Sequence, residues 1–377
     1  MGNEHSQNSH GHHNQEHRDK KQRLHQSNQS LVNAFNALSN GTASVGLEQL
    51  KPRIGSQLAL SLWPCLQDDD QKISLEQFLE RADRLLQLTS DDVVRLLKLP
   101  LCLVEACLES VGLSIQTEEE RDFVNSLVEH MESYGKTADS LIDWKNSNCA
   151  RMCQSVVERT HSLFSSVQFK QSSKIHSGIL NDIQMFVLRN ALPTTVFFPS
   201  LSGLQASEED WVLLYSSARD GLSTTRFESK AFNYRGPSVL ILCQTSKEIY
   251  AVAADEEWRH SSKAFGGPYS MLYKLFPKFD RTQAQAPAIC CNFKSRSSPL
   301  GLFYGSHLLV DETMSNVQGM EVWGCAGKEI LQEHAKQKNR HELQAERNAK
   351  VPLPGKWAEE KAILEMAGYT FSSERRD

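Results

Sequence analysis

Gly236-Pro-Ser-Val-Leu-Ile-Leu-Cys243, then a polar turn, then Glu248-Ile-Tyr-Ala-Val-Ala253, is the stretch on which the fold turns. Within it Ser238 to Cys243 and Glu248 to Ala253 read as strands, and the residues between them break the chain. Working outward, the same grammar recurs. Ser270 to Phe276, Ala288 to Phe293, Gly301 to Tyr304, His307 to Val310 and Met320 to Gly324 all read as short strands separated by turn residues. Such a series points to an antiparallel sandwich with a few helices, not to a doubly wound parallel sheet. Just upstream, Ile179 to Asn190 reads as a helix ended by Pro193. Ser207 with Asp210 reads as the cap of a second helix carrying Trp211, Leu214 and Tyr215, after which Asp220-Gly221 turns the chain.

Before residue 170 the period is helical. Leu31, Phe35 and Leu38 recur at i, i+4 and i+7, and Gly41 follows as a stop. Val45-Gly-Leu-Glu-Gln-Leu50 echoes Ile73-Ser-Leu-Glu-Gln-Phe78, each after a polar loop and each opening a helix. Helix, loop, a short strand and helix, repeated, is the grammar of an EF-hand pair. The ligand chemistry is missing from it. With Ile73 at loop position eight, Leu66 falls at position one, Gln71 at six and Gln77 at twelve; in the first copy Leu38 and Gln49 fall at one and twelve. Calcium asks for a carboxylate at one, glycine at six and a bidentate Glu at twelve. The reading is a paired EF-hand-like module without its ions. Asp91 to Glu109, Glu118 to Tyr134 and Asp139 to Phe164 add helices, with a capping box at Thr117 and Glu120. Asp139 to Trp144 again resembles a loop leading into a helix, although its stripes read first as helix-on-helix core.

The ends read differently. Met1-Gly2-Asn-Glu-His-Ser6 fits the pattern in which Met1 is removed and Gly2 is myristoylated. Residues 3–29 hold no β-branched residue and few apolar ones, so they cannot bury a core and read as a tether. One acyl chain binds a membrane only marginally; Arg18, Lys20, Lys21 and Arg23 would supply a second, electrostatic signal, diluted by Glu16 and Asp19. The tail histidines His5, His10, His12, His13, His17 and His25 are irregularly spaced, which reads as weak adventitious metal binding and not as a specific site. At the other end, 327–350 is densely charged. Beyond Pro354, Lys356 to Ala367 reads as a helix on which Trp357 and Leu364 share a face, widened by Ile363 and Ala367. That face either docks on the protein itself or enters a partner's groove.

The totals exclude several classes of function. A net charge of -5 offers no global field for nucleic acid. No apolar run approaches the ~18 residues that span a bilayer. Nine cysteines form no CxxC knuckle, which argues against structural zinc, and in the absence of a signal peptide they read as reduced intracellular thiols. There is no GxSxG elbow and no HExxH, and Gly324 to Lys328 lacks the glycine spacing of a P-loop. Trp211, Tyr215, Trp258 and Trp323 read as core rather than pocket, and Cys290 and Cys291 as buried, inert thiols.

A resemblance emerges from residues in order. Trp211 to Tyr215, Asp220-Gly221-Leu-Ser223 with Phe227, Gly236 to Leu242, Trp258, Phe265-Gly-Gly267, Leu275-Phe276, Gly301 to Gly305 and Glu321-Val-Trp-Gly324 resemble the TLDc family over about residues 174–326. Ala251 to Ala254 departs from the family, many of whose members carry an aromatic-Gly-Ala run there. The resemblance implies an α+β chain: an acylated tether over 1–27, an all-helical EF-hand-like module over 28–170, a TLDc two-sheet antiparallel β-sandwich with flanking helices over 174–326, and a charged linker and helical tail over 327–377. It further implies a non-enzymatic regulator or adaptor without a cofactor. This would be anchored by myristate to membrane lipid at the cytoplasmic face of the lysosome, with a share in the cytoplasm, and would bind the vacuolar proton pump (V-ATPase) subunits and components of mTOR signalling. A redox protein protecting against oxidative stress and a calcium-responsive sensor are the alternatives.

Overall fold

The computed structural model describes residues 29–66, 72–164, 175–198, 211–294 and 299–325, with scattered positions between 330 and 366. The described residues begin with helix α1 over 29–39. Strand β1 (Ser44–Gly46) and helix α2 (Leu47–Ile54) follow; helix α3 (Ser56–Leu66), strand β2 (Lys72–Ser74) and helix α4 (Leu75–Leu86) form a second unit. The two strands pair antiparallel with Val45 opposite Ile73, and both side chains are fully buried. Phe35 of α1 meets Phe78 of α4 edge-to-face at 5.4 Å, joining the first helix of one unit to the last helix of the other. The glutamines at loop position twelve turn to the backbone. Gln49 accepts the Gly46 N–H at 2.5 Å, and Gln77 accepts the Ser74 N–H at 3.0 Å, so each satisfies a donor at the start of its helix.

Five more helices complete this half: α5 (Ser90–Leu97), α6 (Pro100–Ser110), α7 (Glu118–Glu132), α8 (Ala138–Asn148) and α9 (Gln154–Phe164). Two stretches that the periodicity runs together are broken. The first breaks at Lys98, whose φ is +59°, and at Leu99, extended before Pro100. A residue before proline avoids the α region, and proline suits the first turn of the next helix. The second breaks over residues 149–153, where the Arg151 N–H leaves the helical pattern to donate to Asn190 at 3.2 Å. The capping box at Thr117 and Glu120 stands as expected. Before α8 the chain bends without forming a strand, so α7 and α8 are a helix pair and not a third EF-like unit.

The second half opens with α10 (Asp182–Ala191) and the short α11 (Thr194–Phe197). Its strands are β3 (Val212–Ser216), β4 (Ser238–Gln244), β5 (Ile249–Ala254), β6 (Ser261–Phe265), β7 (Met271–Phe276), β8 (Asp280–Thr282), β9 (Ile289–Asn292), β10 (Gly301–Tyr304), β11 (Leu308–Val310) and β12 (Val317–Gly324); α12 (Ser217–Asp220) and α13 (Thr224–Ala231) lie between β3 and β4. One sheet runs β3-β12-β4-β5-β7-β8 and the other β11-β10-β9-β6, with antiparallel neighbours throughout. The helix expected over Trp211, Leu214 and Tyr215 is therefore corrected to a strand. Pairing with β12 sets Leu213 opposite Trp323 and Tyr215 opposite Val322, and this long-range pairing overrides a local capping signal.

The six-stranded sheet is buried on both faces. Val239, Ile241, Ala251, Ala253, Tyr273 and Trp323 point to the helices, while Leu240, Leu242, Tyr250, Val252, Leu272 and Val322 point to the other sheet. That is the period-two alternation of strands, here apolar on both sides. The helix-facing residues pack in one continuous core with the helices of the first half. The architecture is three layers: helices, six strands, four strands.

Candidate functional site at the junction of the two halves

The junction is built on a short turn. Between β7 and β8, residues 277–279 leave the sheet and present Phe279, which is 3 % exposed, to the helical half. Its ring lies 6.4 Å from Phe123, 5.3 Å from His130 and 6.4 Å from Trp144. Its N–H donates to Ser126 Oγ at 3.2 Å, and Ser126 in turn donates to the Phe123 carbonyl. Phe123, Ser126 and His130 recur at three- and four-residue spacing, one face of α7, and Trp144 closes the socket from α8. At its rim, Lys278 pairs with Glu129 at 3.1 Å, an exposed pair that contributes little.

His130 is the one titratable group in the socket wall. The Trp144 indole N–H donates to its Nδ1 at 2.8 Å, and Asp280 Oδ1 stands 4.0 Å from its Nε2. Burial pushes the imidazole pKa below the usual histidine value, and Asp280 offsets part of that. Helix α10 also meets the helical half, where the Cys149 thiol faces the Val187 carbonyl. Within the second half, Gln184 donates to the Leu275 carbonyl and the Tyr273 hydroxyl to that of Ala191, each at 3.1 Å, fixing α10 to β7.

Two buried carboxylates serve the sandwich. Glu321 of β12 accepts from Ser177 Oγ at 2.6 Å, from the Gly178 N–H at 2.7 Å and from the Trp323 indole at 3.1 Å. It pins the segment entering α10 to the sheet. Glu228 of α13 meets His260 at 3.1 Å and also pairs with Lys294, while His260 packs edge-on to Phe232. Each carboxylate has its partners, as a buried charge requires.

Gly2, Trp357, Ile363, Leu364 and Ala367 lie outside the described residues, as do the basic cluster 18–23 and the tail histidines. The four aromatics singled out in the sequence do not converge. Trp211 and Trp323 pack into the helix-facing core, Tyr215 and Trp258 into the inter-sheet core. Trp258 donates to Ser238 and Tyr215 to the Gly221 carbonyl, so their polar ends are used within the fold. Cys290 and Cys291 are buried in β9, and burial pushes both thiols up. The same holds for Cys149; Cys107 is raised by its hydrogen bond with Cys153 together with burial. A thiol raised this way is a poor nucleophile near neutrality. Periodicity marks Phe123 and Met131 as core but leaves Phe279 unmarked, because it follows Lys278 in a turn outside every periodic run.

Residues 173–309 match the TLDc domain family, just over a third of the chain. The chain therefore carries a TLDc domain. The sheet extends beyond the matched range, since β12 sits between β3 and β4. A 52-residue stretch is 44 % identical to Restriction of telomere capping protein 5 of Kluyveromyces lactis, covering 14 % of this chain and 9 % of that protein. The similarity thus spans less than a tenth of the yeast protein's length.

Proposed function

We propose that the chain is a non-enzymatic regulator or adaptor, held by myristoylated Gly2 at the cytoplasmic face of the lysosomal membrane. It binds the vacuolar proton pump and supports mTOR signalling. The observation that carries this reading is the TLDc domain at residues 173–309. Its continuous core with the EF-hand-like helices adds a body able to bridge a large partner and a membrane tether. The redox alternative is weakened by the raised thiols of Cys107, Cys149 and Cys291. The calcium alternative is weakened by Gln49 and Gln77, whose side chains are committed to backbone donors.

The test is an affinity capture from lysosome-rich membranes, comparing the full chain with a truncation ending at Gly327. Pump subunits recovered by the full chain and lost on truncation support the reading and assign the contact to the tail beyond Gly327, in which Trp357, Ile363, Leu364 and Ala367 are the candidate anchors. Recovery by both assigns it to the sandwich. Recovery by neither overturns the pump assignment. Anchoring is checked separately: Gly2→Ala moves the protein into the soluble fraction, and unchanged membrane association contradicts the anchor.

A further inference from the structure

We infer that His130 is a proton-operated latch between the helical half and the TLDc domain, closed when the imidazole is neutral and loosened when it takes up a proton. The hydrogen-bonding capacity of two side chains fixes the protonation state of the closed form. The Trp144 indole N–H can only donate. The imidazole nitrogen facing it at 2.8 Å must therefore be bare, which requires the neutral ring with its proton on Nε2. Protonation puts an N–H on both nitrogens. Two donors then face each other across 2.8 Å, so the ring must turn away or the indole must give up its partner. Trp144 is fully buried, so water does not replace that partner without movement.

What moves is the socket. His130 touches Phe279 at 5.3 Å, Trp144 at 6.2 Å and Tyr134 at 6.0 Å, all edge-on. Turning the ring displaces the wall that holds the β7–β8 turn. The other charged groups around the socket do not undo this. The turn supplies Asp280, 58 % exposed, which favours the cation but offsets only part of the burial, and Lys278, which is engaged with Glu129 of α7. From α8 comes the indole, while the neighbouring cation, Lys145, is turned to Asp91 at 2.6 Å. Undocked, the histidine loses the burial that Phe279 gives it, so its pKa moves back up toward the ordinary histidine value. Docked, burial holds it lower. The undocked form therefore binds the proton more tightly: docking is complete above the ordinary imidazole value and weakens as pH falls below it.

The experiment is hydrogen exchange of the full chain between about pH 7.5 and pH 5.5, corrected for intrinsic exchange, a span that brackets an ordinary imidazole. Residues 275–282 and 123–134 are expected to lose roughly tenfold of their protection on acidification, the factor that accompanies one lost buried hydrogen bond. His130→Asn keeps an acceptor for Trp144 and cannot titrate, so it should show no such loss. Asp280→Asn, an exposed change that leaves the fold intact, removes the group favouring the cation and should enlarge the acid response. Wild-type protection that ignores pH, or an equal loss in His130→Asn, overturns the latch. Should His130→Asn not fold, an acid response in Asp280→Asn no larger than wild type overturns it.

Discussion

Phe279 shows how much one residue outside any periodic run can decide. It is 3 % exposed, yet it stands on a three-residue turn between two strands, and its whole ring is received by the other half of the molecule. Truncating it leaves a hole that α7 and α8 cannot close without shifting. Phe279→Ala should therefore cost about 3–5 kcal/mol, measured by chemical denaturation; a cost below about 1 kcal/mol, as at a surface site, would contradict its role. The thiols offer a second test at this scale. Cys65 is exposed, whereas Cys107, Cys149, Cys153, Cys291 and Cys325 are buried. Alkylation of the native chain should label Cys65 rapidly and those five only on unfolding. Fast labelling of Cys107 or Cys291 would revive the redox reading.

At the scale of elements, the legible parts were those whose period and neighbours agree. Leu31, Phe35 and Leu38 predict α1, and all three are buried. Val45 and Ile73 predict the paired strands, and they lie opposite each other. β10 falls at Gly301 to Tyr304 as read, and β4, β5, β7, β9 and β11 fall within a residue or two of their expected bounds. β3 was misread because a capping signal at Ser207 and Asp210 is local, whereas the pairing of Leu213 with Trp323 joins residues far apart in the chain. β6 escaped notice because Ser261-Ser-Lys-Ala-Phe265 has an exposed middle and one buried residue, so it shows no alternation. The junction was not legible at all: nothing local distinguishes Phe279 or His130 from a turn residue and a helix-surface histidine. The EF-hand-like loops give the prediction for this scale. Gln77→Ala removes the acceptor of the Ser74 N–H and should cost about 1 kcal/mol. Millimolar calcium should leave the melting temperature of the wild-type chain unchanged, since a ligand that binds only the folded state must raise it. A rise would restore the sensor hypothesis.

For the whole molecule, the consequence of a shared core is cooperativity. The helical half and the helix-facing side of the six-stranded sheet bury their apolar residues together, so neither is complete alone. Calorimetry of the chain should give a single transition at neutral pH, and Phe279→Ala should separate it into two. Two transitions in the wild-type chain would mean that the halves unfold independently. A body of this kind presents the TLDc domain in a fixed pose relative to the helices, which suits an adaptor better than a flexible string of modules. The partner proposed for this body is the vacuolar proton pump, bound directly. The measurement that tests it most directly is equilibrium binding of the purified full chain to purified, detergent-solubilised pump, alongside Gly2→Ala. The account predicts saturable binding of equal affinity for both, because in detergent the acyl chain has no membrane to select and the contact is protein to protein. Absence of saturable binding by either chain would contradict it.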